Sequence, residues 1–269
     1  MHGINTETEK PRAHTAAREF FDKIALDYAE RAQAAVFNVS SLGFSRRRDI
    51  VTRLMLNTPR GGTVLDYGMG PAVFGPAAMQ QGLHYIGLDI SPKMVELARG
   101  LNLPDAEYHV GDLGLLAKFQ RRADTLLVIG LVDYLQAPEA GLRHLARAVK
   151  PGGRLILSFR NHRSVPRLLR NSAKAVWRSV RRSSPDRGKA FAAPVLENSF
   201  VPHRDLIPIL IEEGFTGFTI DYLDCSPVFW NMRLPRPVWK MWKRLDELVA
   251  CRALSWMCAS GALMAFGKR

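Results

Sequence analysis

The sequence predicts an α/β fold: a doubly wound, mostly parallel seven-stranded sheet with helices on both faces and helical insertions after strands five and six. Three observations support this prediction. Short apolar runs alternate with helical segments between about residues 60 and 160, a glycine turn follows the first run, and an acidic residue ends each of the first three runs. Alternating strands and helices connect by right-handed crossovers, which gives a Rossmann-like sheet.

The individual elements are predicted from the spacing of apolar residues. Helices are expected at 16–33 and 45–56, where apolar residues recur at helical spacing, and residues 1–15 are expected to be disordered. The strands are expected at 63–66, 85–88, 107–110, 125–129, 154–159, 216–222 and 262–267. Further helices are expected at 73–80, after the capping residue Ser91, at 139–149 and at 203–213.

The turn after the first strand has an unusual glycine spacing. Gly68 and Gly70 follow Asp66, and the next glycine comes five residues later, so the turn is not the Gly-x-Gly-x-x-Gly of nicotinamide-binding proteins. A carboxylate at Asp66 would attract an ammonium or ribose group and repel a pyrophosphate. Asp89 and Asp112 end the next two strands, so the three carboxylates should share the crevice at the carboxyl edge of the sheet.

This order of motifs, followed by a fourth strand and Lys150-Pro151-Gly152-Gly153, resembles the class I S-adenosylmethionine (SAM) dependent methyltransferases. The resemblance implies SAM as the cofactor and a final strand that runs antiparallel. It places the methionine part of SAM at the glycine turn, the ribose at Asp89 and the adenine amino group at Asp112. The implied cofactor-binding residues are Asp66, Gly68, Met69, Gly70, Asp89, Ile90, Met94, Asp112, Leu113 and Gly130, with Tyr28 on a lid helix.

Two short strings, residues 130–135 and 157–160, look like the small-molecule O-methyltransferase branch that includes magnesium-protoporphyrin methyltransferases. They imply a small or lipid-like acceptor and not porphyrin itself. The resemblance also suggests how the chain is divided. Residues 1–44 would form an N-terminal helical lid region and 45–269 the methyltransferase domain. Insertions at about 161–200 and 226–260 would form a cap on the acceptor side.

The sequence assigns no catalytic base. Positioning can supply most of the acceleration in methyl transfer, so a base is needed only if the acceptor must lose a proton. Asp133, Tyr134, His162 and His203 are the candidates, and each also fits a structural role in a turn, a loop or the packed interior. No cluster of His, Cys and acidic residues has metal-ligand spacing, so no metal is expected.

The net charge of +13 is concentrated in one segment. Between residues 160 and 189, ten Lys and Arg residues accompany a single acid. The segment fits a solvated helix face, a site for an anionic acceptor or lipid headgroup, or a nucleic-acid surface. Nucleic acid is the least favoured of the three because few stacking aromatics are interleaved with the charges.

The C-terminal part of the chain is rich in tryptophan. Four of the five tryptophans fall within residues 230–256, where Val238, Met241, Leu245 and Leu248 recur at helical spacing opposite basic residues. This composition fits a helix that covers an acceptor pocket, packs on a partner or lies in a membrane interface. Segments 160–189 and 230–256 are therefore the candidates for peripheral membrane contact.

The remaining features indicate a cytoplasmic protein, with membrane association as an added option. The N-terminus is polar, no apolar run is long enough to span a bilayer, and the three cysteines form no Cys-x-x-Cys pair. The sequence thus predicts a SAM-dependent methyltransferase that acts on a small or lipid-linked molecule at oxygen. The alternatives are an RNA methyltransferase and a non-catalytic SAM-fold protein whose basic, Trp-rich part binds a membrane or a protein.

Overall fold

A seven-stranded sheet in the order β3-β2-β1-β4-β5-β7-β6 forms the centre of the molecule. The computed structural model describes residues 10–32, 39–135, 137–161, 164–165, 168, 172, 200–223, 234–250, 255–259 and 261–269. Strands β1 to β5 are parallel, and β7 lies antiparallel between β5 and β6, which confirms the predicted fold class. The strands are β1 Thr63–Tyr67, β2 His84–Asp89, β3 Ala106–Val110, β4 Ala123–Val128, β5 Val149–Arg160, β6 Phe215–Leu223 and β7 Gly261–Lys268.

Helices connect and flank these strands. They are α1 Lys10–Ala32, α2 Val39–Met55, α3 Gly75–Gln80, α4 Pro92–Arg99, α5 Leu113–Leu116, α6 Pro138–Ala148, α7 Ile207–Glu212, α8 Arg236–Ala250 and α9 Ser255–Cys258. Short 3₁₀ turns cover Ala117–Phe119 and Val132–Tyr134, and a π-helical turn, Pro202–Leu206, leads into α7. The predicted lid boundary at residue 44 falls within α2.

Successive strand residues face two separate apolar layers. Val64 of β1 packs with α2, α3 and α4, whereas its neighbour Leu65 packs with α6 and α7. Leu126 and Leu127 of β4 divide in the same way. Because both faces are covered, the central strands are buried and mostly apolar, as is typical of parallel strands. The carboxyl ends of these strands are left free to form a site.

Three details differ from the sequence-based expectation. Helix α1 begins at Lys10, inside the segment expected to be disordered, and it is held by packing on α2 and α4. Strand β5 begins at Val149, because Gly152 at φ +78° lets the chain continue beside β4 through a register shift. The turn before α7 is π-helical, and the Asp205 carboxylate accepts the backbone N–H of Val201 there.

Helix α8, part of the second predicted insertion, docks on α2 through charged side chains. Arg46 donates to the Asp246 carboxylate at 2.7 Å and to the Asp246 carbonyl at 2.8 Å, and both side chains are less than a tenth exposed. Lys243 donates to Ser45 and pairs with Asp49. This network attaches the insertion to the helix that also faces the sheet.

The two predicted insertions meet at the end of β5. The Asn161 amide donates to the backbone carbonyls of Trp256 and Ala259 at 2.5 and 2.8 Å. Most of the first insertion, residues 161–200, lies outside the described residues, as does 224–233. Among the residues that the structure describes, no helix has both the length and the apolar character needed to cross a bilayer.

Removing the Asp246 carboxylate should destabilise the fold. Asp246→Ala leaves the Arg46 guanidinium buried without its partner, which typically costs 3–5 kcal/mol, so we expect a loss of about 3 kcal/mol or more in the free energy of unfolding. Chemical denaturation measures the change. Glu247→Ala, at an exposed neighbouring position, is the control and should shift stability by less than about 0.5 kcal/mol. Equal losses in the two variants would contradict the role given to the ion pair.

Candidate functional site

The turn after β1 is closed by backbone hydrogen bonds to the end of β2. The N–H groups of Gly68 and Met69 donate to the Leu88 carbonyl at 2.8 and 3.1 Å. Gly68 has φ +76° and Gly70 has φ +55°, a region that glycine adopts without the strain a side chain would bring. The turn therefore presents bare backbone at the carboxyl edge of the sheet.

Asp89 ties this turn to the start of α4. Its carboxylate accepts the Gly70 N–H at 2.8 Å and the Ser91 N–H at 2.9 Å. Burial raises the pKa of Asp89, while these backbone donors act in the opposite direction. A carboxylate can accept about four hydrogen bonds, so Asp89 retains capacity for a further donor, such as a hydroxyl group.

Asp66, at the end of β1, is a buried acid with one oxygen unused. The Tyr85 hydroxyl donates to Oδ2 at 2.6 Å, whereas Oδ1 is buried and has no hydrogen-bond partner among the described residues. Burial raises the pKa of Asp66 to about 7, a shift that the Tyr85 hydrogen bond opposes and the nearby Asp89 charge reinforces. A buried carboxylate oxygen without a partner is costly, which marks this position as a candidate ligand contact.

Arg47 of α2 brings an opposite charge to the same place. Its Nη1 lies 3.3 Å from where a Cβ on Gly130 would stand, just past β4, and its guanidinium lies over the Phe44 ring at 5.5 Å. Its Nε is buried and has no hydrogen-bond partner within the described part of the chain. Together with Asp66 and Gly68, Arg47 lines a narrow pocket whose walls also include Tyr28, Phe44, Arg48 and Ile129.

Helix α1 covers this pocket. The Tyr28 ring lies 3.5 Å from where a Cβ on Gly70 would stand and packs edge-on against Phe44. Burial raises the pKa of the Tyr28 hydroxyl, so the side chain is neutral and packs as an aromatic. Asp22, six residues earlier on the same helix, accepts the Ser91 hydroxyl at 2.5 Å and the Lys93 N–H at 3.3 Å. These contacts hold α1 on the N-terminus of α4.

The sequence profile of a family described as "Methyltransferase domain" matches residues 39–216, well over half of the chain. The chain belongs to this methyltransferase family. The glycine turn, the carboxylates at the strand ends and the sheet order with an antiparallel β7 are those of its class I, SAM-dependent members. SAM is the cofactor of this class.

Individual relatives of this methyltransferase are distant. A ubiquinone biosynthesis O-methyltransferase from Coxiella burnetii is 28% identical over 110 residues, which is 39% of this chain and 46% of the relative. The corresponding protein of Xanthomonas euvesicatoria is 27% identical over 161 residues, 58% of this chain and 66% of that protein. The chain thus spans less than half the length of the Coxiella relative that it matches.

Solved structures share the architecture of this methyltransferase. Magnesium protoporphyrin IX methyltransferase from Synechocystis, with bound SAH, superposes with a TM-score of 0.63 at 19% identity, over 95% of this chain and 99% of that one. A putative methyltransferase from Haloferax volcanii, solved with an activator, gives 0.57 at 19% identity, over 92% and 97%. At such identities the likeness shows the fold alone.

The polar groups of this pocket are of the kind that the amino-acid end of SAM would need. That end carries a carboxylate and an ammonium group, and the pocket offers a buried guanidinium nitrogen, Arg47 Nε, and a buried carboxylate oxygen, Asp66 Oδ1, neither of which has a hydrogen-bond partner among the described residues. Arg47 was not predicted from the sequence, because it stands between Arg46 and Arg48 with nothing to set it apart. Only the fold shows that Arg46 pairs with Asp246 while Arg47 enters the pocket.

The remaining predicted cofactor residues occupy the same edge of the sheet. The Met69 side chain is buried below the turn, where a methyl group placed on Gly87 would collide with its sulfur, and it also lines the pocket. The Met94 sulfur lies 4.0 Å from where a Cβ on Gly70 would stand. Ile90, between Asp89 and the cap of α4, is half-buried.

Asp112, Leu113 and Gly130 lie further along the edge. Asp112 is exposed and caps α5 by accepting the Gly114 N–H at 2.9 Å, with Leu113 as the first residue of that helix. Gly130, at φ +71°, donates its N–H to the Ser158 hydroxyl at 2.7 Å. The structure therefore gathers Asp66, Gly68, Gly70 and Tyr28 closely, and places Asp112 at the far end of the crevice.

The candidate bases have different environments. The Asp133 carboxylate is buried, accepts the Arg160 N–H at 3.0 Å and lies 3.7 Å from the Arg160 guanidinium, so it holds the ends of β4 and β5 together. Tyr134 packs edge-on against Phe21 of α1, and Arg160 lies over its ring. His162 and the His203 side chain lie outside the described residues.

The raised pKa of Asp66 predicts pH-dependent cofactor affinity. Protonation below about pH 7 removes the charge that attracts an ammonium group, so SAM affinity should fall about tenfold between pH 8 and pH 6, which is the ratio of the ionised fractions. Calorimetric titrations across this range measure it. Asp66→Asn should bind weakly with a flat profile, whereas Asp112→Asn should keep the slope. A slope retained in Asp66→Asn would assign the titration to another group.

Proposed function

We propose that this methyltransferase transfers the methyl group of SAM to an oxygen atom of a small or lipid-linked acceptor. The observation that carries the cofactor half of the proposal is the pair of buried, unused polar atoms, Asp66 Oδ1 and Arg47 Nε, beside the glycine turn. The choice of oxygen is supported by the likeness to ubiquinone biosynthesis O-methyltransferases.

The chain's residues would hold the cofactor at three points. Arg47 would bind the carboxylate of the methionine part and Asp66 its ammonium group. Asp89, with two oxygens already oriented by Gly70 and Ser91, would accept the ribose hydroxyls. Asp112 would accept from the adenine amino group at the far end, where the Leu113 N–H is also at hand.

The helices above the edge would exclude water and align the reactants. SAM would supply an activated methyl group, which a nucleophile attacks in line while the neutral thioether, SAH, leaves. Orientation alone can contribute up to ~7–11 kcal/mol to such a transfer, so the closure of α1 through Asp22 and Tyr28 is expected to matter more than acid–base chemistry. Asp133 acts as a positioning residue in this scheme because both of its oxygens face Arg160.

The acceptor would approach beside the ends of β4 and β5. Phe21 and Tyr134 form an aromatic corner there, with ring centroids 5.8 Å apart, and Arg160 lies 6.0 Å above the Tyr134 ring. Such a corner suits a flat, largely apolar molecule that carries a hydroxyl group. The insertions at about 161–200 and 226–260 would complete the cap, and they reach this edge through Asn161.

Loss of the Arg47 guanidinium should weaken SAM binding selectively. Removing one partner of a buried charge pair costs 2–5 kcal/mol, so Arg47→Gln should lower the affinity by roughly 30-fold or more. Calorimetry with SAM measures the loss, and Arg53→Gln, an exposed arginine on the same helix that does not line the pocket, is the matched control and should bind nearly as the unchanged protein does. Equal affinities in the two variants would remove Arg47 from the cofactor site.

The reaction is tested by methyl transfer from radiolabelled SAM. We expect a label on hydroxylated aromatic molecules, with faster transfer when an apolar tail is attached, and none on the matched amines. Production of SAH in the same assay checks the cofactor independently. A label on amines or on RNA, or a protein that binds SAM and methylates none of the hydroxylated panel, would contradict the proposed acceptor class.

A further inference from the structure

One face of α8 is apolar and exposed. Met241, Leu245, Leu248 and Val249 are 52%, 47%, 63% and 38% exposed, and their spacing places them in one stripe along the helix. Large apolar side chains in a continuous stripe are costly in water and usually mark an interaction surface. We call these four residues the α8 stripe.

The stripe faces outwards because the opposite side of α8 is held on the protein. Trp239 is only 9% exposed, and Asp246 forms the buried ion pair with Arg46 of α2. Lys243, on the same inner side, contacts Ser45 and Asp49. The side of α8 opposite the stripe therefore packs on the protein, and the stripe itself faces away from the core.

Exposed basic residues border the stripe. At 100° per residue, Arg244 and Lys240 lie next to the stripe on the surface of the helix, and both are exposed. Glu247 is the one acidic residue of α8 on that outer side. The chain as a whole carries +13. An apolar stripe beside basic residues is the arrangement of helices that lie in the interface of an anionic membrane.

Other described residues of the two insertions are also apolar and exposed. Trp256 of α9 is 37% exposed, and its backbone carbonyl accepts from Asn161, the residue at which the first insertion begins. Val165 and Leu168, shortly after Asn161, are 39% and 53% exposed. Both insertions thus carry exposed apolar side chains.

We propose that the α8 stripe docks this protein on an anionic lipid bilayer. A bilayer fits better than a second copy of the chain, because stripe-to-stripe pairing would bring Arg244 and Lys240 of two strongly basic molecules together. The bilayer supplies apolar chains for the stripe and negative headgroups for its border. The docking is independent of methyl transfer, and it would give a lipid-linked acceptor access to the cap from the membrane.

The test is flotation of the full chain with phosphatidylcholine vesicles, with and without phosphatidylglycerol. We expect binding to the anionic vesicles that weakens with added salt, and at least about tenfold weaker binding by Leu245→Glu/Leu248→Glu, since two apolar side chains that would enter the bilayer are lost. Ile211→Glu is the matched control: Ile211 is 59% exposed on α7, on the opposite face of the sheet, and this variant should bind as the unchanged protein does.

Folding and self-association are checked in the same set of variants. Thermal unfolding and SAM calorimetry should be unchanged in the Leu245→Glu/Leu248→Glu variant, because both side chains are exposed and neither lines the cofactor pocket. Absence of binding by the unchanged protein, or an equal loss in Ile211→Glu, would overturn the proposal. A dimer in sedimentation experiments that the double substitution dissociates would overturn it too, and would assign the stripe to a subunit interface.

Discussion

The site depends on the two hydrogen bonds that the Asp89 carboxylate accepts from Gly70 and Ser91. They join the turn after β1 to the first turn of α4, and so they decide where the glycine backbone, the α4 cap and the end of β2 lie relative to one another. Ser91 then receives α1 through Asp22, which places Tyr28 over Gly70. One carboxylate at a strand end thus orients the cofactor turn and its lid.

The buried polar atoms of the pocket lower the stability of the folded protein, and interactions elsewhere in the fold compensate for this loss. Asp66 and Arg47 each keep a buried polar atom without a partner among the described residues, whereas buried polar groups in folded proteins are nearly always paired. The apolar layers on both sides of the sheet and the Arg46–Asp246 ion pair provide the stability that tolerates them. Unpaired groups of opposite charge in one pocket are what a zwitterionic ligand end requires.

The sequence predicts the sheet because the period of apolar residues and the acids at strand ends are local signals. The seven strands lie within a few residues of their predicted positions, apart from the early start of β5. There a bulge at the glycines of the Lys150-Pro151-Gly152-Gly153 motif, which the sequence suggests is a turn, lets the strand pairing continue. Three adjacent arginines show what the sequence alone could not predict. Arg46, Arg47 and Arg48 differ only in which way α2 turns them, and that follows from packing against α8 and the sheet, not from local spacing.

A crystal structure of the protein with SAH tests the cofactor assignment most directly. We expect the SAH carboxylate on the Arg47 guanidinium, its ammonium group within hydrogen-bond distance of Asp66 Oδ1, and the ribose hydroxyls on Asp89, with Tyr28 still over the glycine turn. An amino-acid end that lies elsewhere, with Asp66 Oδ1 and Arg47 Nε still unpaired, would contradict it.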